Sequence, residues 1–511
     1  MFRSPLSRRA LLAGSLAAPF LPGLARAGAE DDVLRVVAPW EYTSDDPADI
    51  GYILTRMGIA ETLVQVEPDG RLVGGVAASW TLSQDRLTWR FTLRKALFHD
   101  GTPVMAEAVA ASLKAAFIGE SLSAVPIDRV SVEAGEVVIR TRTPFSLLPA
   151  FLCDYAAVIL APSSYGADGK VRRIVATGPY RLVSVDGKTT LESERFDGHW
   201  AGRPAIARTR YTAVVNGDTR ANIAIAGDAD LVYTLAPTAI PRIDAAGRMK
   251  VRSLTIPRGR ALFFDCGLPQ FGDVRVRRAI SLAVDRDGIA RAILRHPDSR
   301  ATQLLPPILA SWYRKDLPAL GHDLPAARAL LDEAGWRSGA DGIRSRDGVR
   351  LAAKLLTLAN RPELPVMASA LQAQLRQIGM EIVIEVGPGN SVPAAIKDGT
   401  MQLTLVSRTY VNVPEPVATL IPDFTRERSN WGSVRWDGRD RMRQLTDAYV
   451  ASFDDAEKDG LRGRMIRLLA DEMPVVPVSW SEHSVAVSGR VAQVAIDPYE
   501  ARYLVERMKL A

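Results

Sequence analysis

Cysteine is nearly absent. Only Cys153 and Cys266 occur in 511 residues, far apart in the chain, so neither a disulfide framework nor a Cys-x-x-Cys metal or redox motif can be built. In an oxidising compartment the two could close one long loop, or they could remain as buried free thiols. Their apolar, strand-like settings (Phe151-Leu152-Cys153 and Phe263-Phe264-Asp265-Cys266) favour the thiols. Histidine is also scarce: His99, His199, His296, His322 and His483 are the only ones, and no two are four residues apart. That excludes a helical zinc or copper pair, and the sequence implies no metal site and no cofactor. G-x-S-x-G, P-loop and G-x-G-x-x-G motifs are missing as well. The carboxylate pairs Asp45-Asp46, Asp454-Asp455 and Glu381/Glu385 read as solvated or helix-capping acids. With no base near either cysteine, the expectation is a chain that is not an enzyme.

Charge of one sign is lacking too. The formal net charge is +6, but Arg3, Arg8, Arg9 and Arg26 lie within the first 27 residues, leaving 60 of the 64 basic residues against 58 acidic ones. So even a balance excludes a nucleic-acid partner and gives no case for an anionic membrane surface. What the first 27 residues do hold is an address. Ser7-Arg8-Arg9-Ala10-Leu11-Leu12 sets paired arginines before a short apolar run, which Gly14, Pro19, Pro22 and Gly23 interrupt, and the run ends at Ala25-Arg26-Ala27. A charged start, a short apolar middle and a small-x-small exit make a secretory signal of the twin-arginine kind. The run is too short and too broken for a membrane span. Residues beyond Ala27 are therefore expected to work in the periplasm, exported by that signal.

The remaining length exceeds what one core usually holds, so more than one domain is expected. Leu87, Trp89, Phe91 and Leu93 alternate with polar residues as a half-buried strand, and a helix with an apolar side follows from Val104 to Phe117. Tyr180–Val185 and Thr189–Arg195 form a hairpin through Asp186-Gly187. From about residue 265, helices and strands alternate. Asp273, Asp285 and Asp323 stand as helix caps, and Gly335 and Gly379 stand just past helix ends. A strand over 380–386, a helix over 392–397 and a strand over 402–407 complete strand–helix–strand units, the makings of a mostly parallel sheet with helices on its faces. The fold class is thus α/β, with mixed sheets in two lobes.

Several blocks resemble a known family. These are Glu61-Thr62-Leu63-Val64 through Asp69-Gly70, Ala77-Ala78-Ser79-Trp80, Trp89-Arg90-Phe91-Thr92-Leu93-Arg94, Phe98-His99-Asp100-Gly101, Ala176-Thr177-Gly178-Pro179-Tyr180, the run from Asp273 to Asp285, Ala327 to Trp336, and Leu371 to Gly379. In this order they are similar to extracellular solute-binding family 5, the peptide, opine and nickel receptors of bacterial ATP-binding-cassette (ABC) importers. The resemblance implies a two-lobed periplasmic-binding-protein fold of the cluster C type. The chain would cross a hinge near Ile256–Asp265 and again near Pro474–Trp480. Lobe I would comprise 33–58, 175–260 and 480–511, with a subdomain (59–174) inserted in it, and lobe II would comprise 261–479. It also implies a monomer that takes a small-molecule ligand into the inter-lobe cleft and delivers it to permease subunits in the membrane. A hydrolase in the same cleft, or a sensor or chaperone without a permease, is the alternative. Neither Ser407 nor Ser429 has a histidine nearby in sequence.

The ligand-discriminating stretch of the resemblance is Val406 to Pro416. Dipeptide receptors of the family offer an aspartate there for the peptide's amino terminus, whereas the span from Tyr410 to Pro414 holds no acid. Arg408-Thr409-Tyr410 and Ala106-Glu107-Ala108 are closer to the nickel-chelate branch. On this reading Arg408 holds a ligand carboxylate, Tyr410 covers it and Asn412 adds a polar contact. Tyr155 stands where the nickel receptor has an arginine. The loop from Phe424 to Asp437 has no histidine but carries Arg426, Arg428 and Trp431, an argument against a nickel–histidine complex. Trp40 and Tyr42 follow the opening strand at the cleft edge. The expected ligand is a small carboxylate-bearing solute: a short peptide, an opine-like conjugate or a metal chelate.

Overall fold

The computed structural model describes residues 32–119, 122–411, 413–427, 429 and 431–511. The export signal, Asn412 and Arg428 lie outside the described residues. One ten-stranded mixed sheet runs through both lobes. Its strands in chain order are Val33–Ala38 (β1), Tyr180–Asp186 (β2), Thr190–Arg195 (β3), Arg208–Ala213 (β4), Leu231–Tyr233 (β5), Met249–Phe264 (β6), Ala352–Leu358 (β7), Glu381–Gly387 (β8), Leu403–Thr409 (β9) and Val475–Ser488 (β10). Their order in space is β8–β7–β9–β6–β10–β5–β1–β4–β3–β2.

Two long strands make the connection between lobes. β6 and β10 pair antiparallel along almost their whole length, from Met249 opposite Ser488 to Phe263 opposite Val475. The second half of β10 pairs with β5 in lobe I, while the second half of β6 pairs with β9 in lobe II. The ladder is broken between Ile256 and Gly259 and again between Arg260 and Ala261. An irregularity of this kind bends a strand and raises its local twist, so both crossings kink where the lobes meet. These are the segments in which the hinge was expected.

Local sequence explains the flanking elements. Asp46 caps helix α1 (Pro47–Arg56) by accepting from Ala48 N at 2.9 Å, with Pro47 in the first turn. In lobe II, Asp273 and Asp323 cap their helices through side-chain bonds to Arg275 N and Ala326 N. β7 runs parallel to β8 on one side and to β9 on the other, with helix α2 (Glu363–Arg376) between β7 and β8 in the chain. The expected helices and strands of this region are present within a few residues of their predicted ends. β9, however, continues two residues further than expected, to Thr409, because its whole length pairs antiparallel with β6, from Phe264–Leu403 to Arg258–Thr409.

A separate four-stranded sheet (Ala77–Leu82, Thr88–Leu93, Glu136–Thr141 and Ile127–Glu133) lies in the segment between β1 and β2. It leans on lobe II. Ser146 N donates to Val450 O at 2.7 Å, and the Trp89 and Phe453 rings are 6.2 Å apart, so the apolar core of this sheet is continuous with that of lobe II. Lobe I has its own core around Ile53, Leu54, Tyr180 and Tyr211. Cys153 and Cys266 are free thiols.

Candidate functional site

Where the kinked strands pass between the lobes, they border a cavity of ≈ 360 Å³. The segment between β1 and β2 supplies Trp40, Tyr52, Arg56, Glu61, Cys153 and Tyr155. β6 supplies Arg258, and the end of β9 with the segment after it supplies Thr409, Val411 and Pro414. A C-terminal loop closes the space with Tyr499, Glu500 and Arg502. Volume, enclosure and a mixed aromatic and charged lining are those of a small-molecule site.

Helix α1 sets the first wall. Tyr52 and Arg56 are four residues apart and share one face. Their partner is Trp40, over whose ring the Arg56 guanidinium lies at 4.0 Å, with the Tyr52 ring at 5.3 Å. Tyr155 continues the aromatic row, its ring 5.5 Å from Tyr52. Asp154 holds that turn by accepting from Ala156 N at 2.8 Å, and burial pushes its carboxyl up to about 6. Burial also raises the neighbouring Cys153 thiol, which leaves it protonated and unreactive.

The second wall is an ion cluster drawn from four parts of the chain. Arg258 Nη2 is 2.8 Å from Glu500 Oε2 and its Nε donates to Thr409 Oγ1 at 2.9 Å. His483 Nδ1 is 3.2 Å from the other Glu500 oxygen. Burial alone would raise the Glu500 carboxyl, but Arg258 and His483 hold it well below the usual carboxylate range. The loop that presents Glu500 is wound around buried Asp497, which accepts from the backbone N–H groups of Tyr499, Ala501 and Arg502 at 2.9 to 3.0 Å. Glu500 itself has φ = 54°, a conformation that a non-glycine residue adopts only when its surroundings impose it.

The expected site residues divide by strand parity. Successive side chains of a strand point to opposite faces. Because β9 runs on to Thr409, Thr409 and Val411 line the cavity while Arg408 and Tyr410 face away from it. Arg408 meets an internal partner there. It grips Asp423 of helix α3 (Val417–Phe424) with two bonds, Nε to Oδ2 at 2.6 Å and Nη2 to Oδ1 at 2.8 Å. Asp423 is fully buried, and Tyr410 is fully buried beside the pair. The carboxylate in this fork thus belongs to the protein, which corrects the expectation for Arg408 and, with it, for Tyr410 as a ligand cover. Tyr42 is buried as well, its hydroxyl donating to Asp45 at 2.7 Å, and it does not line the cavity. Trp431 lies on a different depression, with Pro393, Ala394 and Lys397 of lobe II. Tyr155 and Trp40 do line the cavity.

Sequence reading had passed over Tyr52, Arg56, Arg258, Tyr499, Glu500 and Arg502. One signal was available: Arg258 and Arg260 are the only charges between Leu254 and Phe264, in the segment already assigned to the hinge. Among the described residues, no group of three or more His, Cys, Asp or Glu side chains could hold a metal ion.

Residues 71–431 match the family described as bacterial extracellular solute-binding proteins, family 5. The chain belongs to that family. This family 5 receptor is 23% identical over 510 residues to the nickel-binding periplasmic protein of Escherichia coli strain K12, covering 93% of this chain and 96% of the relative. It is 26% identical over 499 residues to the glutathione-binding protein GsiB of Salmonella typhimurium, covering 91% of each. The fold is that of NikA from Brucella suis, solved in complex with Fe(III)-EDTA, with a TM-score of 0.85 at 22% identity over 94% of this chain and 99% of that one. As a family 5 member the chain is a periplasmic solute-binding component of an ABC importer, a transport receptor and not an enzyme.

Proposed function

We propose that this receptor captures a small carboxylate-bearing solute (a short peptide, an opine-like conjugate or a metal chelate) in the cavity at the hinge. As a monomer, it then delivers that solute to ABC permease subunits. The observation that carries the reading is the composition of the cavity: Arg56, Arg258 and Arg502 against Glu61 and Glu500, in a space walled by Trp40, Tyr52, Tyr155 and Tyr499. Arg258 and Arg502 are paired with Glu500 and Glu67, which leaves Arg56 as the cavity arginine suited to a ligand carboxylate, and the aromatic walls suit a carbon skeleton beside it. Glutathione, named for one of its relatives, falls within that range of solutes. A metal would arrive here as cargo inside a chelate. In this reading 33–58, 175–260 and 480–511 form lobe I, 59–174 its inserted subdomain and 261–479 lobe II, and the twin-arginine segment exports the chain.

Mass spectrometry of what co-purifies with the exported protein tests the ligand class, with a carboxylate small enough for the cavity as the expected result. A neutral or purely cationic ligand would refute it. Replacing Arg8 and Arg9 by lysine is expected to hold the precursor in the cytoplasm. Normal periplasmic accumulation of that variant, scored by fractionation, would assign the signal to general secretion.

A further inference from the structure

Of the three arginines in the cavity, two are already committed. Arg258 faces the Glu500 carboxylate at 2.8 Å. Arg502 faces the Glu67 carboxylate at 2.9 Å and also bonds Gln65 and Val66 O. Arg56 faces no carboxylate at hydrogen-bond distance. Its Nε donates to the Glu500 carbonyl at 2.8 Å. Its Nη1 is buried on the side of the Tyr503 hydroxyl, with which the guanidinium interacts. The guanidinium is fixed, flat against Trp40 and anchored at Nε on the last turn of α1. A guanidinium held rigid in advance loses little freedom when it binds a carboxylate.

We infer that Arg56 is the residue that takes the ligand's carboxylate, through the part of its guanidinium that borders the cavity, and so makes the receptor choose acids over their amides. This rests on the carboxylate reading proposed above. The Arg258–Glu500 and Arg502–Glu67 pairs contribute no net charge, so attraction for an acid falls to Arg56.

The test is calorimetric titration of matched pairs: Gly-Tyr, glutathione and N-(1-carboxyethyl)phenylalanine, each beside its carboxamide, against wild type, Arg56→Gln and Arg56→Lys. Wild type is expected to bind at least one acid and to prefer it to its amide by roughly tenfold or more. Arg56→Gln is expected to lose about thirtyfold or more on that acid and little on the amide, so that the preference disappears. Arg56→Lys keeps the charge without the fork and is expected to fall between. Thermal melts establish that each variant is folded, and Arg56→Lys alone carries the comparison if Arg56→Gln is not. Retention of both affinity and preference within about threefold would overturn the role of Arg56 while leaving the carboxylate reading intact. If wild type binds none of the acids, or binds acid and amide alike, the carboxylate reading fails and takes this inference with it.

Discussion

At the scale of single residues, the structure changes what Arg408 is expected to do. An arginine that grips a fully buried Asp423 in two bonds is part of the framework, and Arg408→Ala would strand that carboxylate. The expected loss is about 3–5 kcal/mol of folding stability in denaturant melts, and Arg408→Met with Asp423→Leu is expected to restore most of it. A single variant that unfolds like wild type would contradict the pairing. Burial also creates two opposed pH effects. Asp154 is pushed up to about 6, so between roughly pH 4 and 6 the folded chain keeps a proton that the unfolded chain has lost, and stability falls as pH rises. His99 is pushed down to about 4 by burial, so over a similar window the unfolded chain holds the extra proton and stability rises with pH. Asp154→Asn removes the first effect while its side-chain oxygen can still cap Ala156. Its stability is expected to climb more steeply than wild type from pH 4 to 6, and parallel curves from melts at pH 4, 5 and 6 would contradict the assignment. Little of this was legible in the sequence. Asp423 stands 15 positions from Arg408 on another element, and Arg258, His483 and Glu500 come together only through the fold.

Elements were easier to read than their ends. Alternation found the strand at Thr88–Leu93, the Asp-Gly turn found the hairpin of β2 and β3, and caps at Asp273 and Asp323 found their helices. Periodicity could not say where β9 stops, since its last residues are set by pairing with β6. That small difference decided which of Arg408 and Thr409 faces the cavity. Helix α1 offers a test of how elements position the site. Gly51 sits in its middle, where glycine ordinarily costs about 1 kcal/mol relative to alanine. Here a Cβ would lie 2.4 Å from Tyr155 O and 3.2 Å from the Tyr155 ring, so the helix and the Tyr155 turn touch through the missing side chain. Gly51→Ala is therefore expected to destabilise the fold by roughly 1–3 kcal/mol despite its better helix propensity. It is also expected to weaken ligand binding, because Arg56 and Tyr155 are pushed apart. A melting temperature equal to or above that of wild type would contradict this packing.

For the whole molecule, the family resemblance placed both hinge crossings, and the ten-stranded sheet explains them: one antiparallel pair, β6 with β10, carries the chain between lobes and kinks at two points. The contact of the inserted sheet with lobe II through Trp89 and Phe453 could not be seen in sequence, because it joins segments more than 300 residues apart. Both lobes line the cavity, so a ligand that bridges them is expected to favour the closed arrangement. At about 100 times its dissociation constant, such a ligand is expected to stabilise the protein by roughly 2.7 kcal/mol. The central claim is that this is a receptor which binds a carboxylate at the hinge and returns it unchanged. The most direct measurement is titration of the compound released from the purified protein back into unloaded wild type and into Thr409→Trp, followed by mass analysis of the recovered compound. The account predicts one-to-one binding to wild type, recovery of the same mass, and little or no binding once tryptophan fills the cavity. A changed mass, or full affinity in Thr409→Trp, would contradict it.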